Sequence, residues 1–187
     1  GGSGSYQFSI DCSPYQVSGE FPGLAPGDYD LSVIDANGCQ GDTVVTITEP
    51  DVFTYNLDDV SHCSCFGIPD GAISISINGG TQPYSISWTA PGGFSSTDED
   101  LAGITAGMYT LNLSDANNCN TFTLDVLITQ PPEIIITPGE MSDYNGYGVS
   151  CYGETDGYIN ISSISGGTGA LSISWDGPGG FTSSDED

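Results

Sequence analysis

The chain has no lysine and no arginine, one histidine and two methionines among 187 residues, against 25 aspartates and glutamates. A formal net charge of −25 excludes nucleic acid as a partner, because phosphates are bound through Lys and Arg, and it sets the chain against anionic membrane surfaces. No apolar run approaches bilayer length and no basic, apolar leader opens the sequence, so membrane insertion is not expected. Catalysis has little to work with. One His and no Lys or Arg leave a serine nucleophile without a base and an oxyanion without a cationic partner. The carboxylates that could cleave glycosides sit in repeated turns, where acids keep a loop solvated. No catalytic, cofactor or metal residue is therefore assigned. Helical periodicity is missing as well, which removes the helix-based fold classes.

What is present alternates. Apolar residues make up 37% of the chain and aromatics 10%, too many for an acidic disordered tail. In Gly107–Cys119, GMYTLNLSDANNC, the large side chains Tyr109, Leu111 and Leu113 fall on every second position, the mark of a strand with one buried face. The Asp-Ala-Asn-Asn that follows is turn chemistry, because Asn tolerates positive φ and Asp can accept a bond from the backbone two residues on. Gly27–Cys39, GDYDLSVIDANGC, is a second printing of the same unit. Six cysteines in a chain rich in Gly, Ser, Thr and Asn point to an oxidising, extracellular setting.

Repetition decides the organisation. Gly23–Cys39 overlies Gly103–Cys119 at a displacement of 80 residues, Cys65–Gly71 returns as Cys151–Gly157 at 86, and Ser85–Trp88 returns as Ser172–Trp175 at 87. Pro91–Phe94 and Asp98–Asp100 come back at Pro178–Phe181 and Asp185–Asp187. A period of 80 to 87 residues is domain-sized, so each copy can bury a core of its own. The expected division is 1–50 for the C-terminal part of a first copy, 51–131 for a complete second copy and 132–187 for the N-terminal part of a third, making the chain a fragment of something longer. Within the second copy, strands are expected through Phe53–Leu57, Ile73–Ile77, Tyr84–Trp88, a short piece around Leu101 and Ile104, 108–114 and Phe122–Ile128. Gly79-Gly80 breaks the chain, and Gln130-Pro131-Pro132 forms the joint. Six or seven short strands per copy, with turn signals between them, predict an all-β fold of tandem immunoglobulin-like antiparallel β-sandwich domains, with a small barrel as the competing architecture.

The order Cys65-x-Gly67-x-x-Asp70-Gly71, Gly79-Gly80-Thr81, Tyr84-x-Ile86-x-Trp88, Gly103 and Gly107-x-Tyr109, Asp115-Ala116-Asn117-x-Cys119 and Gln130-Pro131 resembles the SprB repeat, found in very large surface adhesins of gliding Bacteroidota. The first copy departs with Ile10 for the tryptophan and an added Cys12, the second with an added Cys63, and the third with Leu171 for the tyrosine. The resemblance implies an extracellular, cell-surface, multi-domain filament exported by type IX secretion, working in adhesion or gliding motility.

Strand length places Cys65 and Cys119 at opposite ends of one sandwich, beyond the ~7 Å that a disulfide spans between Cα atoms. Three arrangements stay open: a bond from the base cysteine of one copy to the turn cysteine of the next, a rerouted Cys65–Cys119 bond, or free thiols. His62-Cys63-Ser64-Cys65 lacks the second ligand pair that a structural zinc site needs. Calcium is the one cation with some basis, near Asp98, Glu99, Asp100 and Asp115, which are expected at one end of the sandwich. Two functions follow. In the first, the chain is a structural stalk segment whose partners are neighbouring repeats and other filament subunits. In the second, each repeat binds a glycan or another surface polysaccharide, with Phe94 and Phe181 as the repeated exposed rings.

Overall fold

In the computed structural model of the protein, residues 4–184 are described. Asp185–Asp187, read above as the return of Asp98–Asp100, lie outside them. The chain divides into two compact units, one ending at Val52 and the other beginning at Phe53.

The first unit is one antiparallel sheet of three strands, β1 (Gln7–Ile10), β2 (Gly27–Ile34) and β3 (Gln40–Ile47), in the order β1-β2-β3. Ile10 pairs with Leu31, and Leu31 with Thr43. Phe8 also exchanges two backbone hydrogen bonds with Gln16, which folds the segment after β1 back on its edge.

The second unit opens with a sandwich of two antiparallel sheets. One is β4 (Thr54–Ser61), β5 (Gly71–Asn78) and β8 (Leu101–Ile104), in the order β4-β5-β8. The other is β6 (Ser85–Ala90), β7 (Phe94–Ser96), β9 (Gly107–Ser114) and β10 (Thr121–Ile128), in the order β10-β9-β6-β7. The sheets stay separate, so this is a sandwich and not a closed barrel. Alternation does what its period requires: Ile73 and Ile75 point inward from β5, Trp88 from β6, Tyr109, Leu111 and Leu113 from β9, and Val126 and Ile128 from β10. Trp88 is completely buried opposite Leu111, and its indole N–H donates to the Asp98 carbonyl at 3.1 Å, so the one polar atom of the ring is satisfied. Phe53 closes the core at the end where Gly79-Gly80 stops β5. A Cβ on Gly80, whose φ is +63°, would stand 2.7 Å from the Phe53 ring. That close approach, as much as the positive φ, calls for glycine.

Beyond Gln130 the unit continues as β11 (Ile135–Met141) paired with β12 (Ile159–Ser165), and a small hairpin of β13 (Trp175–Asp176) and β14 (Thr182–Ser183). The β11–β12 ladder reproduces β4–β5: Ile136 faces Ile164 as Tyr55 faces Ile77, and Met141 faces Ile159 as Val60 faces Ile73. Both ladders are interrupted by a bulge near their middle. Among the described residues, no helix is long and apolar enough to cross a membrane.

Candidate functional site

Two ends of the sandwich carry the residues that recur. At the upper end, Asp115 follows β9 and is buried. Its carboxylate accepts the backbone N–H of Cys119 at 3.1 Å and that of Thr81, from the other sheet's connection, also at 3.1 Å. Thr81 answers with its carbonyl, which accepts the Ala116 N–H at 2.9 Å, and with its hydroxyl, which accepts the Asn117 side-chain amide at 3.1 Å. Asn118 takes a φ of +53°, the left-handed step that turns the chain towards Cys119. The Asp-Ala-Asn turn is thus a clasp between the sheets, with its carboxylate used up by backbone donors. In the first unit, Asp35 makes the corresponding turn, accepting from Asn37 at 2.9 Å and from Cys39 at 2.8 Å, with Gly38 at the positive-φ position.

At the lower end, the loop before β5 is closed by Asp70. Its carboxylate accepts the Ser64 hydroxyl and, at 2.9 Å, the Ser64 backbone N–H. These two donors, the hydroxyl first, hold the Asp70 carboxyl below its ordinary value. Asp156 and Ser150 repeat the arrangement, with the same donors and the same direction of shift. The loop is tied to the strand end after β10: Cys63 N–H donates to the Thr129 carbonyl at 2.9 Å, Gly67 N–H to the Gln130 side chain at 2.9 Å, and His62 Nδ1 accepts the Thr129 N–H at 3.3 Å.

These ends separate Cys65 from Cys119 by the length of β9, eight residues at ~3.3 Å each. All six cysteines are unbonded. Cys63, given no partner from the sequence, is buried with its thiol against the Ile104 carbonyl at 3.5 Å, a core position; the other five are exposed.

The acidic residues considered for calcium are not brought together. Asp98 bonds the Ser96 hydroxyl, and Asp100 accepts the Ile75 N–H at 3.0 Å half-way along β5, whereas Asp115 belongs to the upper turn. The expectation of one shared end fails because Asp98–Asp100 is the link that crosses from β7 to β8 beside the strand middles. Among the described residues, no group of three or more His, Cys, Asp or Glu is placed to hold a metal ion.

The ring platforms also need correction. Phe94 is half-buried and packs edge-on against Tyr109, with centroids 5.2 Å apart, so it belongs to the core's margin. Phe181 is exposed. Sequence reasoning missed a different pair: Phe66 and Tyr152, each following the base cysteine of its copy, are both exposed. Their position after Cys65 and Cys151 was the available signal. Phe66 lines a cleft of about 400 Å³ with Ser64 and Cys65 on one side and Pro132, Gly167 and Thr168 on the other, where the end of one copy meets the start of the next.

Compared with known families, residues 53–93 match the SprB repeat. This stretch belongs to the SprB repeat family. It runs from Phe53 at the rim of the core, through the Asp70 loop and the Gly80-Thr81 half of the clasp, to the glycines before Phe94. The SprB repeat is a structural repeat of adhesin-type proteins of the cell surface, and the chain carries it. No curated protein matches the chain.

Proposed function

We propose that the chain is a structural stalk segment of a large secreted surface filament, in which SprB repeats provide length and mechanical cohesion and carry out no chemistry. The observation that carries this reading is the use made of the recurring polar residues. Asp115, Asn117 and Thr81 bond to one another across the two sheets, and Asp70, Ser64, Gly67 and Gln130 close the base, so the repeated residues are spent on holding the module shut. Adhesion or gliding would be the work of the whole filament, with neighbouring repeats and other filament subunits as partners in an extracellular location. The high negative charge keeps such a fibre soluble, and the absence of Lys and Arg leaves nothing for trypsin to cut.

A second reading, that each repeat binds a surface polysaccharide, is favoured by one observation, the exposed rings of Phe66 and Tyr152 at equivalent positions. Sugar faces stack on such rings. A glycan array probed with the 187-residue chain distinguishes the two. The stalk reading expects no saturable binding. Saturable binding lost in both Phe66→Ala and Tyr152→Ala would replace it with the second.

A further inference from the structure

The passage from the second copy to the third, within one compact unit, is bonded from both sides. On the near side, Thr129 is held through its carbonyl by the Cys63 N–H at 2.9 Å and through its N–H by His62 Nδ1 at 3.3 Å, and the Gln130 side chain accepts the Gly67 N–H at 2.9 Å. On the far side, the Pro132 carbonyl accepts the Gly167 N–H at 3.0 Å. Only Pro131 stands between the two sets of bonds. Glycines make the far contact possible. A Cβ on Gly166 would fall on the Glu133 carbonyl, and one on Gly167 would stand 2.9 Å from the Ile134 side chain, so the chain entering the third copy lies directly on them as Phe53 lies on Gly80.

The residues between these bonds have few torsions left to turn. Pro131 and Pro132 each fix φ near about −65°, and a proline restricts the residue before it, so Gln130 and Pro131 are confined to extended conformations. A proline passage of this kind is a semi-rigid spacer, and here both of its ends are bonded as well. We infer that Gln130-Pro131-Pro132 is a stiff joint and that the Gln130 side chain is its clip.

The clip works through the base loop. Bonded to Gln130 at Gly67, that loop sets Cys65 and Phe66 on one side of the cleft at the joint, with Gly167 and Thr168 on the other, where it limits bending towards that side. Both halves of the clip recur. Gly67 has a φ of +73° and Gly153, in the corresponding loop of the third copy, one of +85°. Glu49-Pro50 ends the first copy where Gln130-Pro131 ends the second, and a carboxylate accepts an N–H as an amide oxygen does. For a filament, a stiff joint fixes the direction from one repeat to the next, so the fibre transmits a push as well as a pull. That consequence rests on the stalk reading; the stiffness of the joint does not.

The test is made on the 187-residue chain. Nitrogen-15 relaxation should give the Glu133 and Ile134 amides order parameters of about 0.85, the value of rigid backbone, and values at or below about 0.6 overturn the stiffness. Glu-C protease cuts after Glu133 only when the joint opens locally, so the rate of that cut reports the open population. Gln130→Ala should speed it about 2- to 10-fold, the opening that the loss of one neutral hydrogen bond allows, and leave cleavage after Glu154, in the base loop of the third copy, as it was. Gln130→Glu keeps an acceptor for Gly67 and should be cut at the parent rate. Gly67 is exposed, so water takes over its N–H in Gln130→Ala and the circular dichroism should not change. A Gln130→Ala chain cut no faster after Glu133, or a Gln130→Glu chain cut as fast as Gln130→Ala, overturns the clip. None of these readings involves a glycan, so a loose joint and a glycan-binding repeat are separate results, the first against this inference and the second against the stalk.

Discussion

Residues 54–96 and residues 135–183 share their strand register, their bulged first ladder and their Pro-Gly-Gly hairpin, yet one set is core and the other is surface. Ile73 and Trp88 disappear beneath β9 and β10; Ile159 is open and Trp175 is half-buried. Alternation of apolar residues is enough to set strands and their pairing, since that is a property of one sheet. Burial is a property of two, and it arrives only where the facing hairpin is present. Nearly all the stability of the chain should therefore reside in residues 53–128, with the flanking strands held chiefly by their ladders.

The widest separation between the two regions should come at the tryptophans. Trp88→Ala is expected to cost about 3–5 kcal/mol in a urea titration, as for other large-to-small changes in a closed core, and Trp175→Ala about 1 kcal/mol or less. Similar losses for the two would erase the contrast.

Next in size is the clasp. Asp115→Ala leaves the Thr81 and Cys119 N–H groups without their acceptor and should cost about 2–3 kcal/mol by the same titration. Gly80→Ala follows at about 1–2 kcal/mol, from a positive φ and a Cβ driven into Phe53.

The smallest effect concerns pH and should be alike in the two regions, since both loops are surface features. Asp70 and Asp156 have folded-state values below the ordinary 3.8, so their contribution is complete above that value and is lost as pH falls through the depressed folded one. Carboxyl NMR titration should show both below 3.8, with Ser64→Ala returning Asp70 alone towards it. A raised value for either would contradict the bonding described.

Much of this was legible in the letters. Period-two alternation located the strands of residues 53–128, Gly79-Gly80 and the Asp-Ala-Asn turn located the breaks, and strand length alone put Cys65 and Cys119 at opposite ends. What a single sequence conceals is which side of a loop residue is covered. Phe94 reads as a loop-tip ring until Tyr109 is seen beneath its edge. Asp115 reads as a turn acid bonded within its own loop until Thr81, from another connection, is seen to bond it. Cys63 reads as an odd cysteine until its thiol is found inside. Each of these depends on a partner 15 to 41 residues away, a distance set by topology and invisible to local pattern.

Hydrogen exchange on the 187-residue chain tests most directly the claim that burial needs both sheets. Amides of β5 and β9 should exchange orders of magnitude more slowly than their register equivalents in β12 and β2, although β2, like β9, is paired on both sides. Equal protection along all four strands would show that the single ladders are as stable as the closed sandwich, and the account would fail.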